Sequence, residues 1–166
     1  MIGENARKSI SIEADEALNN RDSSGGVALL SPYRLGPLSL PNRVVMSPMT
    51  RARSTNGIPV VMEGTYYAQR ASAGLIITGG IYVSQQAVGG INVPGLFTDE
   101  QVEAWRKVTN DVHLAGGRIF AQLSHSGAVS HPSFLNGELP VAPSAVNPRQ
   151  KVMTSSGYLD TPSRAS

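Results

Sequence analysis

Cysteine is absent from the 166-residue sequence, which excludes disulfide bonds, thiolate catalysis and cysteine-ligated zinc or iron–sulfur centres. Long apolar runs are absent too, since no stretch approaches the roughly 20 residues that a membrane helix needs. The N-terminal segment also lacks the apolar core of a secretory signal. These absences predict a soluble, cytoplasmic protein that has no membrane partner.

Runs of one charge are missing as well. Fourteen basic and twelve acidic residues give a net charge of +2, and the basic residues are scattered instead of forming blocks. A nucleic-acid partner is therefore not expected.

Residues 1–27 are polar and end in a cluster of Ser and Gly, which predicts a disordered tail. The alternative is an extra helix over residues 11–20, but Ile12 and Leu18 offer it little apolar surface.

Short apolar segments separated by Pro and Gly begin at Leu29. The alternation of Leu38 and Leu40 between turn signals predicts a small hairpin. Residues 43–49 are rich in β-branched residues and predict a buried strand, which Pro48 ends because proline has no amide proton. A helix follows over residues 59–72, starting at Pro59. Its expected apolar face consists of Val60, Met62, Tyr66 and Tyr67.

A second strand, a second helix and a third strand complete this alternation. The strand over residues 75–83 contains Gly79 and Gly80, as happens where another backbone or a ligand comes close. The helix over residues 99–115 has Thr98 as N-cap and a glutamine three residues later. Residues 118–125 are predicted to form the third strand. The expected buried stripe of the helix consists of Val102, Trp105, Val108 and Val112.

Strand, helix, strand, helix, strand with short connections predicts parallel strands joined by right-handed crossovers, and therefore an α/β fold. A complete eight-stranded barrel typically needs about 250 residues, and 200 is near the lower limit. After His125 the alternation stops, and the last 41 residues are rich in Pro, Ser and Gly. So long a loop is either functional or disordered.

Four phrases together resemble the Old Yellow Enzyme family of FMN-dependent, NAD(P)H-oxidising ene-reductases. They cover residues 35–54, 64–78, 95–127 and 130–146. The resemblance implies that residues 28–166 are the N-terminal portion of a (β/α)8 barrel, about three strand–helix units preceded by the hairpin. It also implies FMN as cofactor, NADPH or NADH as reductant, and an activated alkene as electron acceptor.

The resemblance also implies a flavin site. Pro48, Met49 and Thr50 would meet the pyrimidine and N5 region of the ring. Gly80 would let the second strand pass close to the flavin, and Gln122 would hydrogen-bond the pyrimidine. The plainer readings are a turn cap for Thr50, a strand bulge for Gly80 and a solvated amide for Gln122.

Several positions depart from the family pattern. An acidic residue is common at Gly79 and a threonine at Ile81, so the local polarity at the flavin is reduced. The family often has Trp and Arg at Ser124 and Ala128, which affects substrate shape control. Tyr66, Tyr67 and Arg70 are interpreted as packing residues with no catalytic role.

Metal binding is not expected. The three histidines, His113, His125 and His131, match no helical ligand spacing, and His113 stands near a helix C-terminus, where a cation is favourable in itself. His125 and His131 are interpreted as residues that orient the loop near the pocket.

The family's carbonyl-binding pair, proton-donating tyrosine and phosphate-binding residues lie further along the chain, in segments with no counterpart here. The catalytic residues are therefore unknown. Three hypotheses remain open: an FMN oxidoreductase completed by a second chain, a truncated non-catalytic fragment, and a self-associating α/β binding module or homo-oligomer.

Overall fold

The computed structural model describes residues 27–162. They form two compact units, one ending at Val44 and the other beginning at Val45. The tail predicted for residues 1–27 lies, apart from Val27, outside the described residues.

The first unit contains the predicted hairpin. A short helix α1, Val27–Leu30, precedes strands β1, Tyr33–Leu35, and β2, Leu38–Leu40, which pair antiparallel. The turn between the strands uses Gly36 at a φ of +55°, in the left-handed region that glycine adopts without a steric cost. The hairpin prediction is confirmed.

The second unit is built on a parallel sheet in the order β3–β4–β5. The strands are β3, Val45–Met46, β4, Leu75–Tyr82, and β5, Ile119–Ser124. Helix α2, Val61–Ala68, connects the first pair of strands and helix α3, Asp99–Leu114, connects the second. Parallel strands joined by helices confirm the α/β class.

Helix α3 begins and ends where the sequence predicts. The Thr98 hydroxyl accepts from the Gln101 amide at 3.2 Å, and the Gln101 side chain accepts from the Thr98 amide at 3.2 Å. This reciprocal capping box satisfies two amides that have no partner inside the helix. After the last turn, Gly116 takes a φ of +79° and ends the helix.

The core lies between the two helices and the central strand. Its buried members are Tyr67, Ile76, Ile81, Trp105, Val108 and Val112. Burying each large apolar side chain contributes roughly 1.5–3 kcal/mol, so this cluster is the main source of cohesion. Val102, predicted in the stripe of α3, is instead 36% exposed, whereas Gln101 is 4% exposed. The polar Gln101 is buried because its side chain closes the helix start.

Two predictions on the first strand–helix unit were wrong in extent. The strand predicted over residues 43–49 is only β3, and its Val45 is 47% exposed because β3 is an edge strand. Helix α2 begins two residues after Pro59, and Met62 on its predicted apolar face is 60% exposed. The buried side of the helix consists of Glu63, Gly64 and Tyr67.

The segment after β5 is more regular than predicted. It contains an antiparallel hairpin of β6, Lys151–Thr154, and β7, Gly157–Asp160. A single helical turn at Pro132–Phe134 precedes it. The interpretation of the last 41 residues as an irregular loop was therefore wrong for this hairpin.

Candidate functional site

The predicted site residues come together along the three parallel strands. Thr50 lies in the loop that follows β3, and its hydroxyl oxygen accepts a hydrogen bond from the Gly80 amide in β4 at 3.3 Å. Gly80 is in turn the register partner of Gln122 in β5. Thr50 and Gln122 are exposed, so their side chains are available to a ligand at this edge. Pro48 and Met49 are exposed next to Thr50.

A bulge in β4 organises this region. The register between β4 and β5 shifts between Ile77 and Gly80, so the two glycine amides are released from a regular ladder. The Gly79 amide donates to the Tyr67 hydroxyl at 3.0 Å, and the Gly80 amide donates to Thr50. Both amides thus find a side-chain acceptor, as buried amides require.

Thr78 bridges the bulge to the next strand. Its hydroxyl donates to the Gly79 carbonyl at 2.8 Å and accepts from the Gln122 amide at 3.0 Å. Thr78 is 2% exposed, and the hydroxyl of this buried side chain both donates and accepts a hydrogen bond. The backbone of Gln122 is therefore fixed while its side chain remains exposed.

The glycines mark close approaches, as the sequence predicts. A Cβ added at Gly79 would lie 2.7 Å from the Met49 carbonyl oxygen and 2.9 Å from the Thr50 Cα. A Cβ at Gly80 would lie 3.3 Å from the Ser124 hydroxyl oxygen. Gly79 is thus the position at which another backbone comes close.

The loop after β3 is fixed again at Ser54. The Ser54 hydroxyl donates to Glu63 at 2.7 Å, and its amide donates to the Asn92 carbonyl at 3.0 Å. The other carboxylate oxygen of Glu63 accepts from the Val60 amide at 2.8 Å, at the start of α2. Between these anchors, Ala52 has a φ of +50°, an uncommon conformation for a residue with a side chain. The loop is held in one shape from both ends.

A small cavity of about 70 Å³ lies between this loop, α2 and β4. Its walls include Thr50, Arg51, Tyr67, Gly79 and Gly80. Ligand pockets for drug-sized molecules are about 300–1,000 Å³, so this space suits water or a small group and not a flavin ring. A ring held by Thr50 would have to lie over the exposed loop and strands.

The Tyr67 hydroxyl, next to the bulge, has a perturbed pKa. Burial raises its pKa above the ordinary value, the hydrogen bond from the Gly79 amide opposes this, and the charge of Glu63 raises it further. The hydroxyl therefore stays neutral at physiological pH.

Tyr66 and Arg70 have local roles. Arg70 donates to the Tyr66 carbonyl at 2.6 Å, and its guanidinium lies 4.0 Å from the centre of the Tyr66 ring. Both contacts lie at the C-terminal end of α2. Arg51 lies over the same ring at 5.5 Å.

The segment after β5 packs against the connection between β4 and α3. Gln85 donates to the Phe134 carbonyl at 2.6 Å, and Ser130 donates to the Val88 carbonyl at 2.5 Å. The rings of His125 and His131 accept from the amides of Gly127 and Ser133. Across residues 27–162 no three metal-ligating side chains come together.

The residues present fit one edge of a flavin. Its pyrimidine ring offers carbonyl oxygens and ring nitrogens, and the site offers a hydroxyl at Thr50 and an amide side chain at Gln122, which can both donate and accept. Gly80 carries no side chain between them. Sequence reasoning missed Thr78 and the hydroxyl of Tyr67. A threonine inside an apolar strand was the available signal for Thr78.

Parallel strands with polar residues at their C-terminal ends are the arrangement from which β/α barrels build their sites. Residues 28–160 match the family model described as the NADH:flavin oxidoreductase / NADH oxidase family. The chain belongs to this family, which is of the Old Yellow Enzyme type.

Proteins of similar sequence indicate the same family. Flavin oxidoreductase hxnT of Emericella nidulans is 44% identical over 142 residues, which are 82% of this chain and 37% of that protein. Putative 12-oxophytodienoate reductase-like protein 2A of Arabidopsis thaliana is 41% identical over 73% of this chain and 45% of that protein. The chain thus spans less than half the length of these relatives.

Solved structures give the same fold. The Old Yellow Enzyme homologue from Zymomonas mobilis superposes with a TM-score of 0.79 at 43% identity, over 83% of this chain and 39% of that one. Morphinone reductase in complex with tetrahydroNAD gives 0.78 at 42% identity, over 82% and 40%. The fold is therefore a partial (β/α)8 barrel, and its three parallel strands do not close on themselves. Within the described residues, no helix has the length and apolarity needed to cross a membrane.

Proposed function

We propose that this chain supplies the first strands of the flavin site in an NAD(P)H-dependent FMN oxidoreductase of the ene-reductase type. The observation that carries the proposal is that Gly80 in β4 connects Thr50, in the loop after β3, with its register partner Gln122 in β5. Family membership supports the flavin assignment.

FMN, when bound, supplies the hydride chemistry between a nicotinamide and an acceptor. The chain's own residues hold and orient the ring. The Thr50 hydroxyl oxygen accepts from the Gly80 amide, which leaves its proton available to donate to a bound flavin. The Gln122 side-chain amide would hydrogen-bond the pyrimidine ring from a backbone that Thr78 fixes. Pro48 and Met49 supply backbone groups in the same loop.

The substrate proposal is an activated alkene with NADPH or NADH as reductant. Two observations support it: relatives are named 12-oxophytodienoate reductases, and morphinone reductase has been solved with tetrahydroNAD. The proposed location is the cytosol, with which a cysteine-free sequence is compatible.

The open sheet supports a requirement for a second polypeptide. Phe120 and Leu123 on the edge strand β5 are 47% and 60% exposed, and Val45 on the opposite edge strand is 47% exposed. Unpaired strand edges with apolar side chains favour association. We propose that a second chain, or a second copy of this one, covers them, and that the isolated chain is incomplete as a catalyst. A non-catalytic fragment that only self-associates is the alternative.

The experiment is an FMN titration of the chain, alone and mixed with the part of hxnT that it does not match. Thr50→Ala and Gln122→Ala should each weaken FMN binding by about fivefold, because each removes a hydrogen bond of about 1 kcal/mol. The exposed residues Thr65 and Gln86 provide control alanine variants. Unchanged affinity and flavin spectrum in both site variants would remove Thr50 and Gln122 from the site.

A further inference from the structure

We infer that Tyr67 is a positioning residue for the flavin site, acting through the bulge in β4 on Thr50; the inference rests on the proposed function. Tyr67 lies in α2, outside the strand ends and the loops that would meet a ligand. Its hydroxyl nonetheless accepts the Gly79 amide at 3.0 Å.

Tyr67 is itself held firmly. The residue is 4% exposed, and the centroid of its ring lies 5.1 Å from the ring centroid of Tyr66 and 6.5 Å from that of Trp105. A side chain with so little freedom offers its hydroxyl oxygen at a fixed point. The Gly79 amide, released from the strand ladder by the bulge, is fixed by that oxygen.

The fixed bulge then determines where Thr50 can lie. Gly79 packs directly on the Met49–Thr50 backbone, where an added Cβ would clash. The next amide, that of Gly80, donates to the Thr50 hydroxyl. Two consecutive amides of β4 thus connect the two hydroxyls. The Tyr67 hydroxyl fixes the position of the Gly79 amide in the bulge, and the adjacent Gly80 amide fixes the position of the Thr50 hydroxyl.

Ring packing alone does not need this hydroxyl. Tyr67→Phe keeps the buried ring and its aromatic neighbours, and removes only the acceptor of the Gly79 amide. The matched control is Tyr66→Phe, which removes a hydroxyl from the adjacent residue and keeps the ring and carbonyl that contact Tyr67 and Arg70.

The first measurement uses the full 166-residue chain without flavin and follows amide hydrogen exchange by NMR. We expect the Gly79 amide in Tyr67→Phe to exchange at least about tenfold faster, equivalent to about 1.4 kcal/mol, with shifted resonances at Met49 and Thr50. Tyr66→Phe should leave these amides unchanged. Unaltered exchange at Gly79 and unaltered Thr50 resonances in Tyr67→Phe would overturn the inference, whatever the flavin does.

The second measurement adds FMN and combines Tyr67→Phe with Thr50→Ala. If Tyr67 acts through Thr50, the double variant should bind FMN no more weakly than Thr50→Ala alone, and the visible spectrum of the bound flavin should be the same in both. Additive losses of FMN affinity would overturn the inference that Tyr67 acts through Thr50.

If the unsubstituted chain binds no FMN even with the hxnT part present, the proposed function fails, while the exchange data still decide whether Tyr67 positions the loop. Should Tyr67→Phe not fold, Thr50→Val tests the same coupling from its other end: the Gly79 amide, whose Tyr67 acceptor is intact in this variant, should exchange faster, and unchanged exchange at Gly79 would overturn the inference.

Discussion

The hydroxyl of Ser54 donates a 2.7 Å hydrogen bond to the carboxylate of Glu63, and both residues are buried. The bond joins the end of the loop after β3 to the first turn of α2. Since the same loop carries Thr50 at its start, the position of a candidate flavin contact depends on a polar pair with no direct part in binding.

Ser54→Ala should lower the free energy of unfolding by about 1–3 kcal/mol, because it leaves a buried carboxylate oxygen without its donor. Urea denaturation is the measurement, and the midpoint should fall with an unchanged slope. Thr55→Ala, at the exposed neighbour, should stay within about 0.5 kcal/mol of the original chain. Equal midpoints for the two variants would contradict a stabilising role of the Ser54–Glu63 bond.

Gly79→Ala should destabilise the chain by about 1–3 kcal/mol, since its new methyl group would lie 2.7 Å from the Met49 carbonyl oxygen. The backbone of the loop would have to move, and Thr50 with it. Gly90→Ala is the control, because a Cβ there would lie no closer than 3.4 Å to its neighbours. A chain that tolerates Gly79→Ala as well as Gly90→Ala would show that the close approach is not required.

The stability of the fold should decline in alkaline solution through Tyr67. Its pKa in the folded chain is raised above the ordinary value of 10.0, so the folded state retains the proton over a pH range in which the unfolded chain loses it. The contribution is therefore fully present below pH 10 and decreases as the pH rises towards the folded pKa. Urea midpoints measured from pH 8 upwards should fall less steeply in Tyr67→Phe. Parallel curves for the two proteins would mean that Tyr67 ionises equally in both states.

Local signals in the sequence were enough for α3 and for the hairpin of β1 and β2. The capping pair Thr98 and Gln101 and the glycine at position 116 act within a few residues of each other, so the helix bounds follow from the chain itself. The same holds for the glycine pair at the bulge, where composition alone indicated a close approach.

Properties set by distant partners were not predictable in the same way. The exposure of Val45 depends on its place at the edge of the sheet, which no pattern in residues 43–49 reveals. The hairpin of β6 and β7 was missed because its buried positions include Thr154, a polar residue whose hydroxyl bonds the Gly157 carbonyl at 2.8 Å. Hydroxyls that accept backbone amides, as in Tyr67, likewise become visible only once the fold brings them together.

The isolated 166-residue chain should oxidise NADPH, if it binds FMN at all, without reducing an enone at a useful rate. On the proposed function the described residues hold the flavin along one edge, and the cavity of about 70 Å³ lined by Thr50 and Gly80 is far too small to enclose the ring. Alkene reduction needs groups that orient the acceptor and stabilise developing charge, effects that dominate such barriers. Oxygen needs no such site, so an exposed reduced flavin should pass its two electrons to oxygen and yield hydrogen peroxide. The measurement follows NADPH loss, oxygen uptake and 2-cyclohexenone together, with free FMN as the control. Stoichiometric FMN and steady enone turnover by the chain alone would contradict the proposal that the isolated chain is incomplete.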